Sequence, residues 1–82
     1  MLSAAQCRAA RALLDWSREK LAELSKVSLR TIVDFERGAR QPRDVTLDAL
    51  RAAMERAGVT FVAAGEPSAV GGAGVRHSAA HD

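Results

Sequence analysis

Residues 17–38 read S-R-E-K-L-A-E-L-S-K-V-S-L-R-T-I-V-D-F-E-R-G. The fold turns on where this stretch breaks. Ser17 precedes a run with Leu21 and Leu24 at helical spacing, and Ser28 precedes a second run with Ile32 and Phe35. A serine in that place accepts from a backbone amide left free in the first helical turn. The pattern predicts a helix over 18–25, a short break at Lys26 and Val27, and a helix over 29–37. Gly38 ends the second, where a left-handed residue is needed. Ala22 is small enough for a close crossing, Val27 plugs the turn, and Ile32 anchors the second helix from beneath. Two short helices joined by so tight a turn make the arrangement a helix-turn-helix requires.

Upstream, Ser3 and Gln6 have the S-x-x-Q spacing of a capping box, with Leu2 and Cys7 at the flanking apolar positions. Cys7, Ala10 and Leu14 follow at helical spacing, with Leu13 beside them, and this helix stops near Asp15. Trp16 packs at the corner. Downstream, residues 39–44 form a basic loop containing Pro42. Asp44 or Thr46 caps a fourth helix that buries Leu47, Leu50, Ala53, Met54 and Ala57 and ends at Gly58. Residues 59–63, V-T-F-V-A, read as a short strand. Residues 64–74 are rich in Gly, Ala and Ser and read as a flexible loop. Residues 75–77 can pair back, and 78–82 read as a disordered tail. The expectation is an all-α fold: a compact four-helix domain over 1–63 with a short C-terminal strand or hairpin, then a loop and tail over 64–82.

The chain has 82 residues, enough for one domain with a small core. Its net charge of +2 says little, but the charge is unevenly placed. Residues 1–43 hold nine basic and five acidic groups, while 44–82 hold three basic and five acidic ones. The first half is where a polyanion should dock. A single cysteine allows no internal disulfide and fits a reducing compartment. No apolar run is long enough to span a membrane, and no basic segment leads into an apolar one at the start, so the expected location is the cytoplasm. His77 and His81 lack metal-ligand spacing. No nucleophile–base pair and no phosphate-cradling glycine loop is seen, so no enzyme, metal, cofactor or small-molecule ligand is expected.

Residues 13–42, L-L-D-W-S-R-E-K-L-A-E-L-S-K-V-S-L-R-T-I-V-D-F-E-R-G-A-R-Q-P, resemble the XRE family of regulators, which includes phage repressor and Cro proteins. The pieces W-S-x-x-x-L-A, V-S-x-x-T-I-x-x-x-E-x-G and A-G-V-x-F carry the likeness, over roughly residues 5–61. The resemblance implies a transcriptional regulator that sets its recognition helix into the major groove of a DNA operator. Leu29, Arg30 and Asp34 then fall at base-reading positions. Arg30 suits guanine, Leu29 a thymine methyl, and Asp34 either accepts from cytosine or orients Arg30 one turn earlier. Ser17, Arg18, Thr31, Arg40, Gln41 and Arg43 fall at phosphate-contacting positions. Glu36 pairs with Arg11 as a structural ion pair.

Three departures stand out. Arg18 replaces a common Gln, while Lys26 and Asp15 replace frequent glycines. Asp34 also turns a negative charge toward DNA. The strand leaves an edge for a partner, either 75–77 or the same strand of a second copy, so Val59, Thr60, Phe61 and Val62 are candidates for a homodimer contact. The competing reading is a protein-binding module of the same fold, such as an antitoxin or antiactivator.

Overall fold

The computed structural model describes residues 1–62 and the backbone of 74–77. It contains α1 (Ala4–Leu14), α2 (Arg18–Ser25), α3 (Leu29–Glu36), α4 (Asp44–Arg56), β1 (Val59–Val62) and β2 (Gly74–His77). The expected flexible loop and tail lie outside the described residues, except where β2 begins at Gly74.

The capping box at α1 forms in both directions. Gln6 N–H donates to Ser3 Oγ at 3.0 Å, and Ser3 N–H donates to Gln6 Oε1 at 2.9 Å. Leu2 and Cys7 are both buried behind it. Ser17 and Ser28 cap α2 and α3 by accepting from Lys20 and Thr31 N–H. The end of α3 is a Schellman motif. Gly38 N–H donates to Phe35 O, Ala39 N–H donates to Asp34 O, and Gly38 stands at φ +78°. Asp15 at φ 57° and Lys26 at φ 65° adopt the same left-handed conformation without being glycine. Each carries a strain of about 1 kcal/mol.

The start of α4 departs from expectation. Neither Asp44 nor Thr46 caps it; Arg43 does, without a side-chain bond. Its carbonyl accepts from Thr46 and Leu47 N–H. Arginine has no side-chain acceptor for the remaining amides. Asp44, now inside the first turn, still complements the helix dipole. Two smaller differences concern packing: Leu24, read with Leu21 as the apolar stripe of α2, is exposed, and Ala57 is only half-buried.

The core draws Cys7 and Ala10 from α1, Leu21 from α2, Ile32 and Phe35 from α3, Leu47, Leu50, Ala53 and Met54 from α4, and Val59 from β1. Ala22, Val27 and Trp16 pack on its margin, at the crossing, the turn and the corner. Removing a buried leucine from so small a core costs about 2–5 kcal/mol.

β1 pairs antiparallel with β2, Val59 opposite His77 and Val62 opposite Gly74. Of the two partners weighed for the strand, the chain supplies its own. Gln6 Nε2 donates to Val62 O at 3.0 Å, which ties the end of β1 to the start of α1. Val59 is buried in the core and offers no surface to a second copy. Its alternation partner Phe61 also turns inward, packing against the core with the Arg51 guanidinium 5.9 Å from its ring centre.

Candidate nucleic-acid interface

Helix α3 has two carboxylates two residues apart, and they meet different surroundings. Glu36 faces inward and its side chain is 2% exposed. Arg11 grips it with two parallel bonds, Nε to Oε2 and Nη2 to Oε1, each 2.8 Å. Arg18 Nε adds a third at 3.1 Å to Oε1, and the Cys7 thiol donates to Oε2 at 3.2 Å. Burial alone raises a carboxyl's pKa, but the bonds from Arg11, Cys7 and Arg18 outweigh it and hold Glu36 below the usual carboxylate range. Burial, and then the bond to Glu36, push the Cys7 thiol far up, so it stays protonated and unreactive. Arg11 Nη1 also donates to Trp16 O at 2.9 Å, and Arg8 donates to Glu36 O. This cluster fixes α3 against α1 and against the start of α2.

The outward face of α3 is built from the residues assigned to bases. Leu29 is exposed, and Arg30 is 82% exposed. Arg30 Nε donates to Asp34 Oδ2 at 3.2 Å, one turn on. Ser28 Oγ donates to Thr31 Oγ1 at 2.8 Å and accepts from its amide, so the first turn of α3 is rigidly capped. Beside it, Thr31, Arg40, Gln41, Pro42, Arg43 and Thr46 line an open groove of about 430 Å³. Four of the six residues assigned to phosphate therefore meet along one groove. Two basic side chains and a polar wall suit a negatively charged backbone strand.

The remaining two stand at the head of α2. Ser17 Oγ is engaged in capping. Arg18, assigned to phosphate alone, is shared with Glu36 and is 47% exposed. No sequence reading joined Arg18 to Glu36, because a separation of 18 positions leaves no local spacing to read. Cys7 was missed in the same way. Arg37, 3.5 Å from Asp34 Oδ1, was also missed, although its i, i+3 spacing was a usable signal.

Among the described residues, no group of three or more His, Cys, Asp or Glu is placed to hold a metal. No described helix is long and apolar enough to cross a membrane. No curated protein matches the chain significantly. A family model described as helix-turn-helix matches residues 8–60, from within α1 into β1. The match spans both caps, the turn, the outward face of α3 and the groove beside it, and the chain therefore belongs to the family of XRE-type helix-turn-helix regulators, a DNA-binding family.

Proposed function

We propose that this chain is a sequence-specific transcriptional regulator that sets α3 into the major groove of a double-stranded operator. One observation carries the reading: the rigidly capped N-terminal turn of α3 presents Leu29 and Arg30 to solvent, directly beside the groove of Thr31, Arg40, Gln41 and Arg43. A base-reading edge flanked by phosphate-binding donors is the layout such docking uses. Leu29, Arg30 and Asp34 serve the bases; Ser17, Arg18, Thr31, Arg40, Gln41 and Arg43 serve the backbone. The work is binding, with no catalytic step and no cofactor, and it belongs in the cytoplasm with the operator DNA.

The regulator acts as a homodimer in this reading. One module with so few phosphate contacts holds a half-site weakly. Two α3 helices about 34 Å apart would read half-sites one turn apart. With Val59 buried and Phe61 turned inward, the contact falls to Thr60 and Val62 and their surroundings. A monomer by light scattering, both free and on DNA, contradicts this part.

The test is a gel shift with DNA from upstream of the gene, across a salt series and beside Arg30→Ala. The expected result is specific binding that weakens steeply with salt, and loss of discrimination in the variant with non-specific binding retained. No preference by the wild type for any duplex, together with capture of a defined protein partner, would move the fold to a protein-binding role.

A further inference from the structure

The outward face of α3 holds a three-residue arrangement of which the assignments above use only Arg30 and Asp34 and leave Arg37 without a role. Arg30, Asp34 and Arg37 stand at i, i+4 and i+7, which places them on one face over two turns. Asp34 Oδ2 takes Arg30 Nε at 3.2 Å, and Oδ1 faces Arg37 Nε at 3.5 Å. One carboxylate thus engages a different arginine with each oxygen. Its side chain is 17% exposed, while those of Arg30 and Arg37 are 82% and 67% exposed.

The contact atom matters. A guanidinium is a rigid plane with five donors. When a carboxylate holds it by Nε, its two terminal amino groups point away together. That terminal pair matches the O6 and N7 acceptors of guanine. An unattached arginine must lose rotamer freedom to make the same contact, and the carboxylate removes part of that cost beforehand. The charge of Asp34 acts in the same direction. It repels phosphate wherever α3 rests on DNA without a base contact, and so weakens binding to unrelated sequence.

We propose that Asp34 is the positioning residue that sets specificity: it holds Arg30 by Nε to read a guanine, holds Arg37 toward a backbone phosphate, and penalises duplexes that lack the guanine. The inference rests on the major-groove reading above. It adds a further DNA contact at Arg37, a penalty on duplexes that lack the guanine, and the choice of orienting over cytosine reading for Asp34, whose two oxygens are both engaged.

The experiment is selection from a random duplex pool with the full chain, followed by affinity measurements on the enriched site and on the same site with its guanine changed to adenine. The wild type is expected to enrich a motif with a guanine that Arg30→Ala no longer requires. Asp34→Asn lowers discrimination against the adenine site about tenfold and raises affinity for random duplex several-fold. Asp34→Glu, which keeps the carboxylate, restores most of the discrimination, a rescue that a purely structural role would not give. Arg37→Ala weakens both sites equally and lowers the salt slope by about 1. Asp34→Ser, measured in the same way, replaces Asp34→Asn should that variant fail to fold. Undiminished discrimination in Asp34→Asn or Asp34→Ser overturns the proposal while leaving the major-groove reading standing. An unchanged salt slope in Arg37→Ala overturns the phosphate contact. A wild type that enriches no motif overturns the major-groove reading and this inference with it.

Discussion

Glu36 and Asp34 are neighbours on one short helix, and each meets two arginines, yet burial makes them different devices. Glu36 is enclosed and engages Arg11, Arg18 and the Cys7 thiol. Asp34 lies at the surface between Arg30 and Arg37. An ion pair in water contributes 0–1 kcal/mol, whereas a buried charge left without its partner is costly. The inner cluster thus holds the helix, while the outer one is free to meet a ligand. In the proposed mode a helix of only eight residues can serve as the reading element because it is bolted from behind.

The sharpest way to break the comparison is to truncate both carboxylates. Glu36→Ala leaves Arg11 and the Cys7 thiol facing a void and should destabilise the fold by about 3 kcal/mol in thermal or urea unfolding. Asp34→Ala should cost less than about 1 kcal/mol in the same assay. Equal costs would erase the distinction.

Acid probes the inner cluster directly. The Glu36 carboxyl is held below its ordinary range in the folded chain, so the unfolded chain takes up the proton first as pH falls. Its stabilisation is fully present above the unfolded value of roughly 4.3 and is lost as pH drops through the lower folded value. Unfolding at stepped pH should show stability falling below about pH 4, with a shallower fall in Glu36→Gln.

Smaller effects test how α3 is framed. Gly38 has open space where a Cβ would stand, so Gly38→Ala should cost about 1 kcal/mol from backbone strain alone. Lys26→Gly removes similar strain but loosens the unfolded chain, for a net gain of about 0.5 kcal/mol. That gain is a rise of about 2–4 °C in melting temperature for a domain of this size. DNA affinity should hardly change in Lys26→Gly, since Lys26 caps the end of α2 and lies outside α3.

Where local chemistry decided the outcome, the sequence was readable. Ser3, Ser17 and Ser28 each announced a helix start, and Gly38 and Gly58 each announced a stop. The start of α2 follows directly from Ser17, whereas its end falls at the non-glycine Lys26. Arg43 gave no such signal, because a helix begun by main-chain geometry alone leaves no mark in the side chain. The Arg11–Glu36 contact was expected from family resemblance rather than from spacing. The bonds from Arg18 and Cys7 were not expected, since residues far apart in sequence meet only once α1, α2 and α3 have packed. For the interface, the exposed turn and the loop cations were legible from position, whereas the sharing of Asp34 between two arginines depends on side-chain geometry.

The central claim is that the outward face of α3 and the groove beside it meet DNA. An amide NMR titration of the full chain with a duplex from upstream of the gene tests it most directly. The account expects the largest shifts at residues 28–34 and 40–43, with smaller ones at Ser17 and Arg18. Shifts absent from α3, or centred on the exposed Leu13 and Leu24 of α1 and α2, would contradict it.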